Sequence, residues 1–178
     1  MNQVKTPSRV LKIVKVVLRN LLWIVLLLTI MDWWQGRHLA TGKLEESFWH
    51  SKRPILTGGA AALLEDQEKL TLIYAFAPWC QVCQMSVGNL KDIQEDGIPV
   101  KVLALNYSSR RAVEKFVMES QLDLPVILGT DNVISKLGVS SFPSYFLIHP
   151  EKGIVKGWVG YTSTFGLWVR WTLYNLVS

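Results

Sequence analysis

Apolar and polar positions divide the 178-residue chain into one long apolar segment near its start and a series of short segments after residue 70. "LTLIYAFA", from Leu70, is a continuous run rich in strand formers, which predicts a central strand covered on both faces. "QVCQMSVGNLKDIQED" follows with mixed helical character and stops at Gly97, and "IPVKVLALN" reads as a second buried strand. "SSRRAVEKFVMESQ" opens on serine caps and sets Val113, Phe116 and Val117 on one face, predicting an amphipathic helix. Next come a short strand in "LPVILG" and a helix in "DNVISKLG", capped by Asp131 and closed by Gly138. "FPSYFLIHP" and "IVKGWVGY" read as two strands around the tight turn "EKG", and "STFGLWVRWTLYNLVS" as a Ser-capped aromatic helix. The order βαβα, a short βα, then ββα predicts an α/β fold. Helical crossovers make parallel strands and the hairpin adds an antiparallel pair, giving a mixed central sheet with helices on both faces.

Residues 35–68 are polar and mixed, with turn signals at Pro54 and Gly58-Gly59. They read as a linker over 35–50, then a short strand or hairpin and one helical turn in "AAALLEDQE". Before them, residues 20–31 are apolar and uncharged, and extension to 16–34 reaches the length of a membrane-spanning helix, with Arg19 near one end to snorkel. Trp33 and Trp34 stand at the far edge, where an interfacial aromatic belt belongs. A cleaved signal peptide shares the basic start and the apolar stretch, but "MDWWQGRHLATGK" offers no clear small-x-small cleavage site. The expected organisation is a cytoplasmic basic tail at 1–15, a signal-anchor transmembrane helix at 16–34, a linker at 35–50 and an α/β domain at 51–178.

Composition excludes disorder, with 49% hydrophobic and 19% charged residues. The formal net charge of +5 belongs to the tail: Lys5, Arg9, Lys12, Lys15 and Arg19 have no acid among them, and the remaining charges cancel. A folded domain without clustered positive charge argues against nucleic acid as a partner. The basic tail places the N-terminus in the cytoplasm by the positive-inside rule, and the domain outside it, in the periplasm of a bacterium with two membranes. Disulfide chemistry is allowed there.

Cys80 and Cys83 are the two cysteines of the chain. Cys80 follows the predicted strand and opens the next helix, where free N–H groups and the peptide dipoles favour a thiolate. Cys83 lies one turn on, on the same face, placed to attack a mixed disulfide at Cys80. A zinc site needs four ligands, and His38, His50 and His149 show no ligand spacing, so no metal is expected. A structural disulfide over so short a loop constrains little of the unfolded chain, whereas two thiolates holding Cu(I) is a reasonable alternative.

"FAPWCQVC" after an apolar strand resembles the thioredoxin active-site segment, and "GVSSFPSYFLI" resembles the stretch carrying the cis-proline of thioredoxin-like proteins. The resemblance spans about residues 69–177. It implies a thioredoxin-like fold with Cys80 as nucleophile, Cys83 as resolving thiol and no cofactor beyond their redox-active disulfide. It also implies a cis Pro143, with Phe142 and Pro143 beside Cys80 binding extended substrate, and Trp79 shaping the docking surface. The anchor and "APWC" are closer to the membrane-anchored TlpA-like branch. "DWW" at 32–34 and "GWVGYTSTFGLWVRW" at 157–171 resemble the D-type suppressor-for-copper-sensitivity proteins, anchored periplasmic disulfide oxidoreductases. That resemblance implies exported protein thiols and disulfides as partners, a membrane thiol-electron carrier that recycles the dithiol, and a link to copper or oxidative stress tolerance.

The chain departs from the family at several places. Gln81 and Val82 fill the redox loop without a His, which favours a reducing to intermediate potential over a strongly oxidising one. Tyr74 stands where thioredoxin has a buried Asp, and Ser86 where many TlpA-like reductases have a Glu. Tyr74 is expected in the core. Trp158, Phe165, Trp168 and Trp171 are expected to pack as an apolar stripe on the sheet, the alternative being the membrane interface. Gly160 either admits substrate backbone or simply ends a strand.

Overall fold

The computed structural model describes residues 9–64 and 70–177. The chain forms two compact units, one ending at Arg37 and the other beginning at His38. The first is helix α1 (Arg9–Gly36), whose segment Leu11–Met31 is long and apolar enough to cross a membrane, with mean hydropathy 2.2. The basic residue nearest the chain start, Lys5, lies outside the described residues.

The second unit opens with α2 (Glu46–His50) and a hairpin of β1 (Arg53–Pro54) and β2 (Ala60–Ala61). The helical turn expected in "AAALLEDQE" falls partly outside the described residues, and its first two residues are strand β2. Then follow β3 (Thr71–Phe76), α3 (Gln81–Ser86), α4 (Asn89–Glu95), β4 (Val100–Ala104), α5 (Arg110–Glu119), β5 (Val126–Leu128) and α6 (Asp131–Leu137). The hairpin β6 (Ser144–His149) and β7 (Gly153–Val159) leads into α7 (Thr164–Val177). The five-stranded sheet runs β5-β4-β3-β6-β7. Strands β3, β4 and β5 are parallel, while β6 is antiparallel to both β3 and β7.

Strand β3 is buried at all six positions because both sheet faces are covered, and the two-residue period of the strand splits its side chains between two cores. Leu72, Tyr74 and Phe76 face one core with Val113 and Phe116 of α5, Leu90 and Ile93 of α4, and Leu167 of α7. Ile73 and Ala75 face the other, with Val133 and Leu137 of α6 and Phe48 and Trp49 of α2. The site therefore grows from the central strand, whose C-terminal end runs directly into Cys80.

Three sequence expectations differ from the structure. The stretch read as a linker over 35–50 contributes Leu39, Phe48 and Trp49 to the core. It is tied down where the Ala40 N–H donates to the Leu137 carbonyl at 2.9 Å and Gly42 bridges to Ile154. The single helix expected after Cys80 is two, α3 and α4, separated by a turn at Val87 and Gly88. Of the aromatic stripe, Trp158 is buried and Trp171 half-buried, whereas Phe165 and Trp168 are exposed, Phe165 at 74%. Helix α7 is apolar around much of its circumference, so composition alone cannot tell its packed face from its open one.

Candidate active site

Cys80 and Cys83 are joined as a disulfide at the start of α3. Cys80 is the extended N-cap residue, and the Cys83 N–H donates to its sulfur at 3.1 Å. A donor aimed at that atom stabilises negative charge on it once the bond is reduced. The two sulfurs sit in unlike environments. Residue Cys80 keeps 7% of its surface exposed and Cys83 none, so an incoming group reaches Cys80 first. Gln81 and Val82 between them are exposed.

Trp79 is 65% exposed and fixed, not free: its Nε1–H donates to the Asn106 carbonyl at 3.0 Å, and its ring meets Phe142 edge-on with centroids 5.7 Å apart. Asn106 holds a positive φ of 46°, a conformation Asn tolerates better than most residues. The Phe142–Pro143 peptide bond is cis, as the sequence leads one to expect, and the Pro143 carbonyl accepts from the Gly160 N–H at 2.9 Å. Gly160 has φ +96°, so this turn needs the freedom of glycine. Val82, Met85 and Tyr161 add exposed apolar surface. Beside Trp79 lies a groove of about 530 Å³, lined also by Gln84, Asn106, Tyr107, Lys115 and Glu119.

Behind the disulfide the core is polar at one point. The Tyr74 hydroxyl donates to the Cys83 carbonyl at 3.1 Å and lies 2.9 Å from Ser86 Oγ, which is itself 3.3 Å from the same carbonyl. Cross-strand pairing sets Tyr145 opposite Tyr74, with ring centroids 5.1 Å apart. The Tyr145 hydroxyl is buried without a hydrogen-bond partner among the described residues. Burial drives the Tyr74 phenol well above its ordinary value, with the contact to Ser86 offsetting part of the effect, and burial pushes Tyr145 up to about 12. Sequence reasoning singled out positions 74 and 86 as departures but not the contact both make with Cys83. The signal was available in the two-residue period of β3, which puts Tyr74 on the face that α3 covers. Among the described residues, no group of three or more His, Cys, Asp or Glu side chains is placed to hold a metal ion, and His38, His50 and His149 form none.

Residues 55–157 match the model of the AhpC/TSA family. Over 107 residues the chain is 31% identical to the thiol-disulfide oxidoreductase ResA of Bacillus subtilis, a match covering 56% of this chain and 59% of that protein's length. Among solved structures, a thioredoxin-family thiol:disulfide interchange protein of Chlorobium tepidum superposes with a TM-score of 0.60 at 18% identity, covering 78% of this chain and 95% of that one. A secreted disulfide oxidoreductase of Mycobacterium tuberculosis gives 0.58 at 16% identity, covering 72% and 99%. At these identities the likeness shows the fold, which is thioredoxin-like.

Proposed function

This chain belongs to the AhpC/TSA family, and we propose that it is a membrane-anchored thiol–disulfide oxidoreductase working through Cys80 and Cys83. The observation that carries this reading is the asymmetry of the pair: one residue at a helix start, 7% exposed and with its sulfur facing an N–H donor, and its partner fully buried one turn behind. In the reducing direction, the Cys80 thiolate attacks a substrate disulfide. A Cys80–substrate bond forms, the substrate S–S bond breaks, and its electron pair leaves on the first substrate thiolate. Cys83 then loses its proton and attacks Cys80. The Cys80–Cys83 bond forms and the second substrate thiolate departs, so two electrons have passed from the dithiol to the substrate.

Trp79, Phe142 and the cis Pro143 supply the docking surface, with extended substrate laid along the backbone at Phe142. Exported proteins are the substrates, and a membrane thiol carrier restores the dithiol. Helix α1 serves as a single-pass inner-membrane anchor with its N-terminus in the cytoplasm, which its length and apolar character support. The stretches "DWW" and "GWVGYTSTFGLWVRW" support a role in copper or oxidative stress tolerance through keeping exported thiols reduced. The test is a full-length Cys83→Ala variant in its native membrane, with identification of proteins bound covalently to Cys80. Capture of discrete exported proteins, released by dithiothreitol and lost in a Cys80→Ala/Cys83→Ala double variant, is the expected result. Identical, empty profiles from the two variants would refute it.

A further inference from the structure

Cys83 must give up a proton inside the core before it can close the disulfide, and the surroundings of that residue constrain how. Its carbonyl accepts from the Val87 N–H at 3.0 Å, from the Tyr74 hydroxyl at 3.1 Å, and has Ser86 Oγ at 3.3 Å. Two of those donors come from side chains, and one of them belongs to the central strand rather than to the helix. A carbonyl held from two elements fixes the backbone that carries the buried sulfur more firmly than helix hydrogen bonds alone.

Among the described residues, no charged side chain is buried in this core. The buried polar residues of the described chain are Thr71, Ser86, Ser144 and Thr162, with no acid or base among them. Among the described residues, the titratable side chains buried in the same core as Cys83 are Cys80, Tyr74 from β3 and Tyr145 from β6. Around it, Glu119 of α5 is taken up at the surface with Gln84 and Lys115, and Asp92 of α4 with Thr164. Arg170 of α7 lies over the buried Trp158 ring at 4.8 Å, and Trp158 in turn stacks on Tyr145. Both phenols are held protonated far above neutrality by burial.

We propose that Tyr74 and Ser86 are positioning residues for the resolving step: their hydroxyls clamp the Cys83 carbonyl so that its sulfur stays against Cys80, and, being uncharged, they leave the Cys83 proton to be taken by solvent. This rests on the disulfide-exchange reading above and names how its second step is controlled. The proton lost from Cys83 goes to hydroxide or buffer, and the electron pair of the broken Cys80–substrate bond goes to the departing thiolate. Two consequences follow from the geometry. Removing a clamp slows the second thiol release and spares the first, because Cys80 is not part of the clamp. The second release also shows a single ionisation, that of Cys83 itself, since no carboxylate among the described residues is buried beside it.

The experiment is stopped-flow reaction of the reduced full-length protein in detergent with a peptide disulfide whose two thiols absorb at different wavelengths, from pH 5 to 9. The proteins compared are wild type, Tyr74→Phe, Ser86→Ala, Ser86→Thr and Ser86→Glu. The proposal expects Tyr74→Phe and Ser86→Ala to slow the second release roughly fivefold to tenfold, the worth of one buried hydrogen bond, with the first release unchanged. Ser86→Thr restores the wild-type rate, and Ser86→Glu adds a second inflection to the pH profile of the second release. Equal slowing of both releases in Tyr74→Phe and Ser86→Ala, or no slowing of either, would overturn it. So would a wild-type profile that already carries two inflections. If wild type releases no thiol at all, the exchange reading fails and this inference with it, an outcome distinct from normal release that is insensitive to positions 74 and 86.

Discussion

Trp79 illustrates how a single side chain is committed by its partners. An exposed indole on a mobile loop would lose rotamer freedom on meeting a substrate, but here the Nε1–H bond to the Asn106 carbonyl and the edge contact with Phe142 already hold it. For the peptide docking proposed above, a fixed aromatic wall beside Cys80 costs little further ordering. Trp79→Ala is therefore expected to lower kcat/KM for a peptide disulfide roughly fivefold to tenfold, mostly through KM, while the urea midpoint moves little. Steady-state reduction of insulin beside a denaturation curve measures both. Tyr145 gives the opposite case, a buried hydroxyl without a partner among the described residues. Tyr145→Phe removes a polar group that burial penalises, and is expected to raise stability at pH 8 by about 1 kcal/mol. Equilibrium urea unfolding reads this directly.

Element boundaries are decided by caps and backbone signs more than by hydrophobicity. Helix α6 ends at Gly138, with φ +64°, where a β-carbon would run into the His38 carbonyl. Gly138→Ala combines left-handed strain with that clash and is expected to cost about 1–3 kcal/mol, seen as a lower melting temperature with the redox pair intact. The strands were legible in the sequence because β3, β4 and β6 lie in a sheet covered on both faces, which leaves continuous apolar runs. Gly138 was legible as a stop for the same reason it is fragile. Other elements were not. Phe48 and Trp49 are buried within "KLEESFWHSKR", where charged neighbours mask a five-residue helix too short to display a period. The division between α3 and α4 left no breaker in the sequence but Gly88, a residue that also occurs inside helices. The open face of α7 was hidden by apolar residues on its other sides. At the site, the cysteines, Trp79 and the Phe142–Pro143 bend were readable from "PWCQVC" and "SSFPS". The hydroxyl clamp was not, because it depends on β3 and α3 meeting in space.

At the scale of the whole molecule, the domain from His38 onward carries its two buried phenols in one core, and that makes its stability depend on pH in the alkaline range. Tyr145 is raised from 10 to about 12 and Tyr74 further in the same direction. The unfolded chain ionises first, near pH 10, so the stabilisation is complete below that pH and is lost as pH rises through the folded value. Each phenol is expected to remove about 1.4 kcal/mol per pH unit above pH 10, and Tyr145→Phe to shallow the slope by one such share. Urea midpoints at pH 8 and 11 measure it. The proposed exchange requires the opposite property, a thiol that ionises early and within reach. The direct measurement is iodoacetamide labelling of the reduced full-length protein from pH 5 to 10, with Cys80 and Cys83 quantified separately by mass spectrometry. The expected result is rapid labelling of Cys80 with a midpoint below the ordinary thiol value of about 8.5, while Cys83 stays protected. Equal labelling of both residues with a midpoint at or above that value, or preferential labelling of Cys83, would contradict it.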